Sequence, residues 1–408
     1  MITKMRTAMA ALLGLAAILP AGEGPACPRL IDFPQLVSPQ APCDAKPPCF
    51  WLEAEYLLWW VKNAPLPQPL VTTGPVNSFG ILGQPGVEIL GGNSTVNQDA
   101  FSGGRFALGA WVDDDRSIGV EGVAFFLGEK SRNFGYDSEK FGSPMLARPV
   151  INGLTNQESS AVVTYPSLAE GDIYVGNDLF LWGMEANCVG HAYTGGLVAF
   201  DCVLGYRFLN LVEHLDILAN NTILPGGIGF FQGQVVPAGA SLEVQDHFRT
   251  NNQFHGVNMG GRFTYRWERW VADVQGKVAL GANCQTQTNA GQTLLNPGFN
   301  TIYGNGGLLV LPTNQGEFNR TRFAVVPEAG VNIACLVTHA IRFTIGYRFL
   351  YVSDVIRPGD QVSRVVNPRL VPTSPLFTGS GGPAVPQPTF QSTDFWAQGL
   401  TLGLGINF

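Results

Sequence analysis

Beyond its amino-terminal segment the chain has no uninterrupted apolar run long enough to cross a membrane as a helix, which takes about 20 residues. Charge is also scarce. Asp, Glu, Lys and Arg make up 13% of the residues, roughly half the usual share of a soluble domain. There is no Cys-x-x-Cys pair and no Cys/His cluster with zinc-ligand spacing, so no metal site is expected. No nucleophile elbow or phosphate-binding loop occurs, and His191, His214, His247, His255 and His339 show no triad-like spacing. No enzyme and no cofactor are therefore expected. The net charge of −7 argues against nucleic acid as a partner.

Glycine (50 residues), proline (28) and alternation are abundant. The last residues, 400–408, set the pattern: Leu400, Leu402, Leu404, Ile406 and Phe408 are apolar, and the residues between them are small or polar. A period of two is a strand's period. The same alternation recurs over 50–62, 102–112, 118–128, 178–189, 197–209, 256–267, 270–282, 322–334 and 341–351. That predicts ten strands, with eight or twelve as alternatives. Pro327 falls inside one of them and suggests a bulge, because proline donates nothing to a ladder.

The links between these strands alternate between long and short. Compact soluble domains rarely carry so many long links. A transmembrane antiparallel up-and-down β-barrel does so by construction, with short periplasmic turns and long external loops. A soluble sandwich would also alternate. It would not need one face of nearly every strand aliphatic and aromatic while the other is charged. The aromatic residues Trp60, Trp111, Trp267, Trp270, Tyr351 and Phe408 fall near strand ends, as the girdles of a spanning barrel do. The Asp113–Asp115 run reads as a solvated turn in preference to a calcium loop.

Residues 1–26 read as a signal peptide, with Lys4 and Arg6 ahead of the apolar stretch 8–19. The cleavage point is open, and so is lipidation of Cys27. Residues 27–49 form a Pro/Cys-rich leader in which Cys43 and Cys49 are close enough to pair. Residues 50–408 form one barrel domain. Cys188 and Cys202 fall on adjacent strands, as small apolar residues on the outer face or as a bridge.

The predicted inward faces carry Glu53, Glu55, Glu121, Glu185, Asp201, Asp273 and Glu328. They also carry Arg105, Arg207, Arg262, Arg266, Lys277, Arg342 and Arg348. In a narrow ten-strand lumen opposite charges pair. Two readings stay open. One is a plugged structural or adhesive barrel acting through its external loops. The other is a narrow polar pore for ions or small solutes, with these charges setting selectivity. Two tetrapeptides recur, Gly-Gly-Arg-Phe at 103 and 260 and Gly-Tyr-Arg-Phe at 205 and 346. They fit hairpin duplication and common barrel vocabulary equally well.

The opening strand with residues 53–73, EAEYLLWWVKNAPLPQPLVTT, followed by residues 102–127, resembles the outer-membrane β-barrel porin family known as beta barrel porin seven. The likeness extends through the GGRF and GYRF strands to the apolar closing strand. It implies the outer membrane as location and lipid as surroundings, with a barrel-assembly machinery reading the carboxy-terminal strand. It implies no specific cargo and no catalytic residues.

Overall fold

The computed structural model describes residues 49–139, 142–298, 300–338 and 340–408. The expected signal peptide and nearly all of the leader, with Cys27 and Cys43, lie outside the described residues, as does His339.

Ten long strands are organised as a ring. They are β1 (Phe50–Val61), β2 (Phe101–Trp111), β3 (Ile118–Asp137), β4 (Ala169–Gly195), β5 (Val198–Ile223), β6 (Ser241–Trp267), β7 (Trp270–Asn296), β8 (Gly316–Leu336), β9 (Ile341–Ile356) and β10 (Ser392–Asn407). Each pairs antiparallel with its sequence neighbours, and β10 pairs with β1 from Trp51↔Asn407 to Val61↔Ala397. At the seam Phe50 and Phe408 exchange both backbone hydrogen bonds, at 2.9 and 3.0 Å, and their rings stack at 5.9 Å.

The hairpin turns follow from local chemistry. Gly196 (φ 58°) and Glu268 (φ 51°) open the two-residue turns of β4–β5 and β6–β7, and two-residue hairpins require such positive φ. In the β2–β3 turn the Asp113 carboxylate accepts from the Ser117 hydroxyl, the Ser117 amide at 2.9 Å and the Ile118 amide at 2.8 Å. Those bonds, led by the Ser117 hydroxyl, pull its pKa down to about 2.

β1 and β2 match the sequence alternation to within a residue at each end, but β3 to β8 are far longer than it indicated. β4, β6 and β7 each run 27 residues, about 90 Å of chain at ~3.3 Å per residue. Much of what reads as loop in the sequence is strand. The remaining long connections also fold. Ala64–Thr73 pairs with Glu88–Val96 and with Leu146–Asn152, which pairs in turn with Gln157–Thr164 and, in parallel, with Val365–Val366. Three connections, from after β1, β3 and β9, thus share one small sheet. Its apolar side packs on the inward faces of the tall strands. Leu66, Val71, Val150 and Val163 join Ile173, Leu215, Ile217 and Phe248 in one buried cluster.

The bulge expected at Pro327 is not there. Pro327 pairs in unbroken register with Val278. The β8–β9 ladder simply ends one residue on, at Glu328↔Leu350, and the Val325 amide donates to the Ser353 hydroxyl at 2.8 Å. The irregularity lies instead in β9, between Val352 and Val355, where Asp354 takes φ 49°.

Candidate functional site

Seen from the short-turn end, the inside of the ring is layered. The first layer is aromatic. Trp111 stacks on His191 at 4.5 Å and lies 5.2 Å from Trp51. This corrects the girdle assignment for Trp111. It shares strand parity with the buried Arg105 and Ala107, so it points inward, where Gly109 leaves room for the Trp51 ring. His191 Nδ1 is also hydrogen-bonded to the Asp201 carboxylate.

The second layer is charged. Glu185 accepts from Arg207 Nη2 at 2.5 Å, from Lys277 Nζ at 2.8 and 3.0 Å, and from Asn187 and Asn258 at 3.0 Å each. Glu328 is shared by Arg207, by Arg348 at 3.4 Å and by Lys277 at 3.5 Å. Glu55 takes Arg105 at 3.3 Å and Arg348 at 3.2 Å, and Glu121 takes Arg262 at 3.3 Å. Glu53 pairs with Arg342 nearer the rim. Asp273 accepts from the Thr264 hydroxyl at 2.8 Å. The structure does not bring Arg266 into the layer. It is exposed beside the Glu268-Arg269 turn.

The repeated tetrapeptides acquire a role here. Gly205 and Gly346 each sit against an asparagine: a Cβ would lie 2.4 Å from Asn187 Oδ1 in one case and 2.0 Å from Asn332 Oδ1 in the other. Two residues on, Arg207 and Arg348 converge on the single carboxylate of Glu328. Gly403 and Gly405 likewise face the Glu55 and Arg342 side chains at less than van der Waals distance from an added Cβ, 2.9 and 2.7 Å.

The third layer is apolar and was not legible in the sequence. Every ring strand contributes to it: Leu57 and Trp59, Phe101, Phe125, Leu181, Leu211, Phe254, Ala279, Val326, Leu350 and Phe395, all buried. Above it the polar residues return. Arg357 and Glu213 pair in full burial, and Arg357 Nη1 also donates to the carbonyls of Lys62 (3.2 Å) and Asn63 (2.7 Å). Asn252 exchanges two hydrogen bonds with the Ile356 backbone, at 2.8 and 2.9 Å. Higher still, Asp246 accepts from Arg148 Nη2 at 2.7 Å and from the amides of Leu308, Leu309 and Val310 at 3.0, 2.9 and 2.7 Å. Arg148, Glu213, Asp246 and Arg357 all lie in stretches that read as loop. The signal was an alternation continuing through 209–219 and 242–254.

The outer face is apolar. Leu52, Tyr56, Trp60, Phe106, Leu204, Phe263, Trp267, Trp270, Leu402 and Phe408 are exposed, and Tyr351 is half-buried. Trp182, Phe208 and His255 add an aromatic group, with ring centroids 5.0 Å apart along the chain of contacts. Cys188 and Cys202 are both exposed and unbridged. Among the described residues no three His, Cys, Asp or Glu side chains are placed to hold a metal ion.

An antiparallel ring that is apolar outside and charged within defines a porin-like β protein. The chain belongs to the Putative beta barrel porin-7 family, which matches residues 51–408. Curated proteins offer no match. Solved structures with a similar course include the outer membrane protease OmpT from Escherichia coli, at TM-score 0.37 and 8% identity, covering 89% of this chain and 97% of that one. The toluene transporter TodX of P. putida matches at 0.21 and 9%, covering 88% and 90%. A Pseudomonas aeruginosa FadL homologue matches at 0.21 and 7%, covering 89% and 90%. At these scores none of them informs the role of this chain.

Proposed function

We propose that the chain forms a ten-stranded transmembrane barrel of the outer membrane that is closed to solutes and works through its external end. The observation that carries this reading is the apolar layer, to which all ten strands contribute a buried side chain. A water-filled path needs continuous polar lining, and here leucine, tryptophan and phenylalanine occupy the middle of the lumen. The charged layer beneath is then a paired structural interior in place of a selectivity filter.

The membrane placement is supported by β6. Its outward residues from Trp267 to Val257 are apolar, and those beyond are His255, Gln253, Asn251 and Arg249. Ten steps of ~3.3 Å at a tilt of ~40° rise about 25 Å, the height of a lipid-facing band. Export through the amino-terminal signal and recognition of β10 by the barrel-assembly machinery belong to the same reading. So does the outside location of the folded connections, which form the surface available to partners.

Purified folded protein in planar bilayers tests the closure. Silence at moderate voltages is expected. Steady ohmic conductance would restore the narrow charged channel.

A further inference from the structure

The long-loop end of the ring encloses a cavity of about 650 Å³, within the ~300–1,000 Å³ typical of small-molecule sites. Its walls are apolar and come from separate parts of the chain. Val150 and Val163 belong to the small sheet, Ala219 and Leu242 to the inward faces of β5 and β6, and Val366 and Val371 to the connection before β10. Along β6 the cavity starts near Leu242 and stops two residues short of the buried Asp246. Arg148, 2% exposed, also lines it.

Two features point to a ligand. The first is the rim. Phe79, Leu168, Ile228 and Leu376 all line the cavity and are 49%, 38%, 70% and 54% exposed. Large apolar side chains gathered in solvent around a concave opening mark a binding surface. The second is Arg148. Its Nη2 bonds Asp246, but Nε and Nη1 are buried with no hydrogen-bond partner. Leaving such donors unpaired is costly. Asp246 is otherwise served by the Leu308, Leu309 and Val310 amides, so it leaves the other two guanidinium nitrogens of Arg148 to an acceptor in the cavity.

The geometry points to a binding site for a small molecule with a compact apolar body and one terminal carboxylate. The body lies between the small sheet and β5–β6, and the carboxylate lies at Arg148. The site rests on the proposed reading of the folded connections as the external end of the barrel. Ion conductance with ligand binding intact would sink the closed-barrel reading and leave this site standing.

4-Benzoylbenzoic acid has this chemistry and is itself photoreactive. Irradiated with the full mature protein in detergent, it should label peptides spanning 159–165 and 226–230. Unlabelled 2-naphthoate should compete, and naphthalene, which lacks the acceptor, should compete about tenfold less well. Ala161→Trp, which fills the cavity, should abolish the labelling while the protein keeps its heat-modifiable mobility. Labelling spread over the outward residues of β5 and β6 and indifferent to naphthoate would overturn the site. Equal competition by naphthalene would overturn the ligand class.

Discussion

Arg357 and Glu213 meet with neither side chain exposed, Nε at 2.9 Å from Oε2 and Nη2 at 2.5 Å from Oε1. The pair ties the connection before β10 to the middle of β5, and through Lys62 and Asn63 to the exit of β1. Removing one partner leaves an uncompensated buried charge, which costs about 3–5 kcal/mol. Arg357→Met should lower the midpoint of urea unfolding in detergent accordingly. The double variant Arg357→Met/Glu213→Leu should recover most of the loss, because a buried pair is often replaceable by apolar packing. A double variant as unstable as the single one would show that the carbonyl contacts, and not the ion pair, hold the connection.

A second prediction separates two glycines. A Cβ on Gly399 would lie 2.2 Å from the Leu58 carbonyl oxygen and 2.6 Å from Trp59 Cα, both backbone atoms, whereas one on Gly276 meets nothing within 4 Å. Gly399→Ala should cut the yield of folded protein sharply and Gly276→Ala should leave it unchanged, as read from heat-modifiable mobility. Equal yields would mean the β1–β10 seam is looser than its register.

The band height can be read along β7. Val274 and Ala290 are both outward and exposed. Val274 pairs with Phe263 in the middle of the apolar band, so Val274→Arg should cost about 2–4 kcal/mol. Ala290→Arg stands above it and should cost nothing measurable. Equal costs would move the membrane boundary ten residues up the strand.

His247 lies in the tall part of β6 and bonds the Asp216 carboxylate on β5 through Nδ1 at 2.6 Å. That hydrogen bond raises its pKa, against a smaller opposing effect of burial. A raised histidine stabilises the fold fully below its unfolded pKa near 6.5, and the contribution is lost as pH climbs through the folded value. Amide exchange in 241–249 should therefore be slower at pH 5.5 than at pH 8 after correction for intrinsic rates. His247→Gln should remove the difference. A pH effect that survives the substitution would assign it elsewhere.

The lower half of the ring was readable from sequence because its two faces differ sharply. In 256–267 the outward Val257, Met259 and Phe263 alternate with Asn258, Arg262 and Thr264. Higher up the contrast weakens or reverses. In β5 the apolar residues move inside, with Leu211, Leu215 and Ile217 there and Val212, His214, Asp216 and Leu218 mixed on the other face. In β7 both faces turn polar, with Asn283, Gln285 and Gln287 inside and Thr286 and Thr288 outside. Mixed or matching faces leave only a weak period, so these stretches read as loop. The charge layer was legible as a set of residues but not as a network. Which acid meets which base depends on register across the ring, and Arg207 reaching Glu328 spans strands far apart in sequence. The apolar layer escaped because Leu57, Phe101 and Leu211 look no different, in one sequence, from residues that face outward.

The β1–β10 seam has a further consequence for how the molecule comes to exist. It joins Trp51–Val61 to Ala397–Asn407, so the shortest path between partners runs through every other strand. Any arc of fewer strands has two bare edges, each a row of unpaired amides and carbonyls ready to template a foreign strand. The finished ring offers none. The chain is thus exposed to wrong pairing during one interval only, before its last strand docks, and contacts this distant in sequence are the slow ones to form.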